Sequence, residues 1–172
     1  MQRLFAPAGV AILGLMVVAT ALGATRKLPA PVTLTGVSGV VPGMSRAEVQ
    51  RRWATPVSFY KAPPSPNCDQ ADIKARSMRG YVIFFKKRFA AVFFYAGART
   101  PEDIHIGSTT AQLRKAYVRR LHSEQDQLLP KGSRNWYLLG KRYELRFDTS
   151  VKGRVTQIAF GDAAVHLVEG CL

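Results

Sequence analysis

The sequence predicts an α+β protein built from two tandem repeats, each a helix followed by a three-stranded antiparallel meander, with the helices on one face of the sheet or sheets. Three observations carry this. The segment Gly43-Met44-Ser45-Arg46-Ala47-Glu48-Val49 recurs as Gly107-Ser108-Thr109-Thr110-Ala111-Gln112-Leu113, and a repeat of this kind marks supersecondary units that bury a core only together. Downstream of each copy the hydrophobic period changes from about four to two, the change from helix to strand. Each copy alone would bury too little surface to be stable, so the two must share a core.

Both copies open on a capping box, Ser45 with Glu48 and Thr109 with Gln112. There the hydroxyl and the carboxylate or amide satisfy two orphan amides reciprocally, so Ser45 and Thr109 are expected as helix N-caps. Val49 and Trp53 lie four apart, as do Leu113, Tyr117 and Leu121, which sets each group on one helical face. Pro56 closes the first helix, and the second is expected to run to about Leu121. Strands are expected at 72–78, 81–85 and 89–95 in the first copy, and at 135–139, 143–147 and 155–160 in the second. In 143–148 the alternation sets Tyr143, Leu145 and Phe147 on one side and Glu144, Arg146 and Asp148 on the other. A last edge strand is expected at 164–168.

The domain plan is therefore residues 1–23 as a signal peptide, 24–36 as a tether, 37–100 as repeat 1 and 101–172 as repeat 2, its C-terminal strand tied back by a disulfide. Arg3 precedes an uncharged run from Leu4 to Thr25, with small residues at Ala21 and Gly23 near its end, the pattern of a cleaved export signal. The expected location is secreted, periplasmic or otherwise extracytoplasmic. An uncleaved segment of about 20 apolar residues that anchors the chain is the alternative. Cys68 and Cys171 are the only two cysteines, and in an oxidising compartment they are expected to form one disulfide. Closing a loop of roughly 100 residues contributes about 4 to 5 kcal/mol in the chain-entropy treatment.

Two short repeats of this form, after an export signal, resemble the superfamily of small envelope proteins that includes the β-lactamase inhibitory proteins and the SmpA/OmlA (BamE-like) assembly lipoproteins. The resemblance implies the helix-plus-meander fold and a docking role. The chain departs from it in lacking a lipidated cysteine, in carrying Ala54 ahead of Thr55-Pro56, and in placing Lys86-Lys87-Arg88 on the turn where the inhibitors present an acidic residue.

The sequence offers no catalytic motif: no nucleophile elbow, zinc-protease helix, P-loop or dinucleotide fingerprint is present. His105, His122 and His166 are scattered, and a metal site would need them to converge with Glu102, Asp103 or Glu169. No catalytic residue, metal or cofactor is therefore expected. Charge is more informative, with 25 Lys and Arg against 11 Asp and Glu. Such a surplus points to an anionic partner, and export turns the expectation from nucleic acid to lipid headgroups, cell-wall polymers or an acidic protein. The candidate contact residues are Lys86, Lys87 and Arg88 on one turn, Lys141 and Arg142 on another, and Arg134, Trp136 and Tyr137, whose types are enriched at binding hot spots. The expected function is an exported, non-enzymatic binding module that docks a protein or an anionic envelope partner. The alternative is a basic envelope scaffold acting by surface charge; a hydrolase inhibitor or an enzyme ranks below both.

Intact mass spectrometry of exported material checks the covalent expectations. It should show loss of about the first 23 residues and a mass two hydrogen atoms short of the dithiol form; a retained Met1 or two free thiols would refute the respective half.

Overall fold

Each helix begins where a glycine, a cap and a central strand meet. In a computed structural model, which describes residues 31–53, 57–60, 67–74, 78–125 and 129–167, Gly43 and Gly107 both hold a φ of +95°, a conformation that side-chain-bearing residues rarely adopt. Two residues on, Ser45 caps α1 (Arg46–Arg52) and Thr109 caps α2 (Thr110–Ala116), each in a complete capping box. The amides of Gly43 and Gly107 donate to Phe89 O and Val155 O at 2.8 and 2.7 Å. The amides of Phe89 and Val155 return bonds to Met44 O and Ser108 O at 2.7 and 2.8 Å. Each helix is thereby bolted to the start of a strand much later in the chain.

A hairpin of β1 (Val32–Thr33) and β2 (Gly36–Val37) precedes α1. After α1 come β3 (Val57–Tyr60), β4 (Cys68–Lys74), β5 (Arg79–Phe85) and β6 (Arg88–Ala96). After α2 come β7 (Leu121–Glu124), β8 (Arg134–Leu139), β9 (Glu144–Thr149) and β10 (Val155–Gly161), then a 3-10 turn, Ala163–His166. β3 to β10 form one antiparallel sheet of eight strands in the order β3-β4-β5-β6-β10-β9-β8-β7. The last strand of each half is central and the first is an edge.

This corrects the predicted fold class. The protein is mostly β, with one eight-stranded sheet, one two-stranded hairpin and two helices of seven residues, in place of an α+β pair of helix-plus-three-stranded-meander repeats. The second helix stops at Ala116, far short of Leu121, because Arg119 turns to a φ of +61° and Arg120 N bonds to Tyr117 O at 3.0 Å. The chain released there becomes β7, which has no fully buried residue and so no period to detect. The expected edge strand at 164–168 is a 3-10 turn, begun by Asp162, whose carboxylate accepts from the Ala164 amide at 2.9 Å. Residues 32–36 of the expected tether belong to the β1–β2 hairpin, which Thr33 Oγ1 fastens by donating to Gly36 O at 2.9 Å. The signal segment lies outside the described residues, among which no helix is long and apolar enough to cross a membrane.

One sheet face carries the main core. Val49 and Trp53 from the first half, and Leu113 and Tyr117 from the second, pack with Phe84, Phe89, Phe94, Phe147, Ile158 and Phe160. Full burial of each such side chain contributes about 1.5 to 3 kcal/mol. Trp53 meets Phe89 edge to face at 6.0 Å, and its Nε1 donates to Val37 O at 2.9 Å, so the hairpin is locked under the first helix. Tyr117 takes the matching place in the second half, 5.6 Å from Phe147, and donates to Glu102 Oε2 at 2.7 Å.

The two caps differ in chemistry. The Ser45 hydroxyl and amide both approach Glu48 Oε2 at 2.7 Å and hold that carboxyl below the usual carboxylate range, whereas Gln112 does the same work without a charge. Replacing Ser45 or Thr109 by Ala should cost about 0.5 to 2 kcal/mol in denaturant unfolding. A depressed folded pKa gives stability that is present above the unfolded value and lost as pH falls through the folded one. The advantage of the parent over Glu48→Gln should therefore shrink on acidification through the carboxylate range, with no such trend for Gln112→Ala; parallel pH profiles for the two variants would refute this.

Candidate functional site

The candidate contact residues separate into three places. Lys86 and Lys87 form a two-residue turn between the paired residues Phe85 and Arg88, with φ of 49° and 65°. Hairpin turns with positive φ at both central residues favour Asn-Gly, and a non-glycine residue held there costs about 1 to 3 kcal/mol. Both lysines are exposed, and Lys86 Nζ stands 5.6 Å over the ring of Phe85, itself 49% exposed. Arg88 is exposed beside them but is also tied to the backbone. Its Nη1 donates to Gly43 O at 3.3 Å, as Arg154 donates to Gly107 O at 3.1 Å, so Arg88 braces the lead-in to α1.

Lys141 and Arg142 lie in the β8–β9 turn, at the same end of the sheet as Lys86 and Lys87. Three strand spacings separate the two turns, roughly 14 Å. Lys141 and Arg142 rim a cavity of about 640 Å³ with Arg120, over Leu34, Leu139 and Tyr143. Arg134 and Trp136 belong to a different cleft, beside Arg114 and Arg119, and Trp136 Nε1 donates to Thr149 Oγ1 at 3.1 Å. Tyr137 faces the other side of the sheet, where it is buried and stacks on His166 at 4.5 Å; burial pushes its phenol up.

That second face holds a polar centre that the sequence does not reveal. Arg146 and Asp148, which alternation places on the side opposite Leu145 and Phe147, are 3% and 8% exposed. Arg146 Nε and Nη2 donate to the two oxygens of Asp148 at 2.6 and 3.1 Å, and Nη1 donates to Val165 O at 2.9 Å. Desolvation pulls the guanidinium pKa down, but the hydrogen bond and charge of Asp148 outweigh it and raise the value. The 3-10 turn thus lies across the sheet, its backbone carbonyl held by Arg146 and its His166 bonded to Glu144 at 2.8 Å. Val165 packs with Ile83, Ala91, Phe93 and Ala159, and Cys68 lies against the same cluster. Cys171 is outside the described residues. A cavity of about 530 Å³ opens beside the ion pair, between Tyr81 and the loops around Pro130 and Val151. The signal that could have found this centre is the run Glu144, Arg146, Asp148, read with the apolar Val165 and Leu167 downstream as its cover.

The three histidines do not meet: His105 Nδ1 is 2.9 Å from Ile106 O, His122 is exposed on β7, and His166 pairs with Glu144. Among the described residues no three His, Cys, Asp or Glu side chains are grouped to hold a metal ion.

No protein-family profile and no curated protein matches the chain. Among solved structures it is similar to a cysteine-rich secretory protein from Staphylococcus aureus subsp. aureus Mu50, at 11% identity and a TM-score of 0.48, covering 74% of this chain and 45% of that one. It is similar also to a DUF4309 family protein from Bacillus subtilis subsp. subtilis str. 168, at 9% identity and a TM-score of 0.44, covering 72% and 81%. A third is an extracellular protein containing an SCP domain from Bacillus anthracis str. Ames, at 8% identity and a TM-score of 0.44, covering 70% and 44%. The chain therefore spans less than half the length of the first and third. None of the three is a β-lactamase inhibitory protein or an SmpA/OmlA lipoprotein. The mostly-β fold described above, one eight-stranded sheet with two seven-residue helices, overturns the family resemblance drawn from the repeated motif.

Removing one partner of the buried pair leaves the other uncompensated, at about 3 to 5 kcal/mol. Arg146→Met should lower stability by that amount and make the segment after Gly161 the first site of limited proteolysis; a variant as stable and as resistant as the parent would show the pair to be dispensable.

Proposed function

We propose that the protein is an exported, non-enzymatic binding module that docks on an anionic component of the cell envelope through the sheet end bearing Lys86, Lys87, Lys141 and Arg142. The carrying observation is the Lys86-Lys87 turn. Two adjacent lysines hold backbone angles suited to Asn-Gly, and their ammonium groups stand in solvent beside an exposed Phe85. Cations next to an exposed aromatic ring match a surface with anionic headgroups and an apolar layer beneath. Export supplies the setting, on the strength of the N-terminal leader. The disulfide expected between Cys68 and Cys171 would bring the C-terminal segment to the same end of the sheet as the Lys86-Lys87 turn, since Cys68 pairs with Phe85.

The test separates stability from binding. Lys86→Asn with Lys87→Gly should stabilise the fold by about 1 kcal/mol or more. Each cation near an anionic surface is worth about 1 kcal/mol, so the same double variant should bind phosphatidylglycerol vesicles about 30-fold less tightly in low salt. Cosedimentation of parent and variant over a salt series reads this directly. Equal retention at every salt concentration would show the turn to be solvated only and would remove the basis for the docking surface.

A further inference from the structure

The outer edge of the second half carries a separate band of cations. One cleft, of about 560 Å³, is lined by Arg114 from α2, Arg119 from the following turn, and Arg134 and Trp136 from β8. The neighbouring cavity of about 640 Å³ is rimmed by Arg120, Lys141 and Arg142. Arg119 and Arg120 are adjacent in sequence yet line different cavities, so the α2–β7 turn is the wall between the two. All six cations are exposed, none forms an ion pair with a described residue, and no carboxylate lines either cavity. Arg134 and Lys141 stand at opposite ends of β8, roughly 20 Å apart at the rise of a strand.

Backbone geometry marks the same band. Arg119 holds a φ of +61°, where glycine or asparagine is at ease and a long side chain is strained. Guanidinium groups take oxyanions in a planar, two-pronged fashion, and Trp136 adds an aromatic wall to the first cleft. A single small anion would fill one cleft and leave the other empty, whereas a row of anionic groups on one chain would engage both.

We propose that this edge is a binding groove for a linear polyanion, which runs along β8 from Arg134 past the Arg119–Arg120 wall to Lys141 and Arg142. The groove shares Lys141 and Arg142 with the docking surface proposed above, whereas Arg114, Arg119, Arg120 and Arg134 belong to the groove alone. The probe is long-chain polyphosphate, with orthophosphate as the monomer control. The parent should bind the polymer at least 10-fold more tightly, per phosphate, than orthophosphate. Arg114→Ser with Arg119→Gly and Arg134→Ser should weaken polymer binding about 10-fold or more and flatten the slope of log K against log salt by about 2 to 3, following the release of counterions per neutralised cation. The same triple variant should keep its retention on phosphatidylglycerol vesicles, and Lys86→Asn with Lys87→Gly should keep its polymer affinity. Arg119→Gly alone relieves strain and should bind more weakly at a raised thermal midpoint, which separates loss of binding from loss of folding. Unchanged polymer affinity in the triple variant, equal affinity for orthophosphate per phosphate, or equal weakening by the turn variant would each overturn the groove.

Discussion

The pairing of β6 with β10 is the constraint on which the remaining structure rests. It joins Ala91, Val92, Phe93 and Phe94 to Gly161, Phe160, Ala159 and Ile158, and among the described residues it is the strand pairing that joins the two halves of the sheet. On the core side this register sets Val92 against Phe160 and Phe94 against Ile158, so the aromatic floor beneath Trp53 runs on to Tyr117. On the other side it sets Ala91 against Gly161 and Phe93 against Ala159. The small residues leave room for the 3-10 turn to lie flat, where Val165 reaches the cluster and Arg146 reaches the turn's carbonyl. One register thus positions the helix side, the covered face and the two turns that share the basic end of the sheet.

A second theme links backbone and charge. The non-glycine residues with positive φ among the described residues are Ser38, Lys86, Lys87, Asp103 and Arg119. Three are cations, all exposed, and they mark both surfaces assigned to anionic ligands. Where the chain needs an unusual conformation for architecture alone, at Gly43 and Gly107, it uses glycine. Retaining lysine and arginine in such positions runs against local propensity, and sites of local conflict are where function is expected to outweigh stability.

The helix starts were legible because a capping box is a statement about four consecutive residues, which needs no tertiary partner. The turn Lys86-Lys87-Arg88 was legible only from the apolar strands on either side, and it is one residue shorter than expected because Arg88 pairs with Phe85. What escaped was set by distant contacts. Leu121, His122, Ser123 and Glu124 become an edge strand only because β8 offers its backbone. Arg146 and Asp148 become a buried centre only because residues 163–167 fold over them. Arg88 reads as one of three equivalent charges until Gly43 O is seen to claim its guanidinium. The separation of Trp136 from Tyr137 onto opposite faces follows from strand period alone and was available to sequence reasoning. The cleft that gathers Arg114, Arg119 and Arg134 was not, since it exists only once the second helix ends at Ala116.

An open sheet must end somewhere, and here it ends at β3 and β7, strands of four residues each. Short edges template poorly for a second copy, and the cations around β7 set like charge against like when two such edges approach. The surplus of positive charge therefore opposes the pairing of such edges between copies. A bound polyanion would cancel that repulsion along the β7 edge itself, so saturation of the groove brings the protein closer to self-association, and its solubility becomes a function of how much ligand surrounds it.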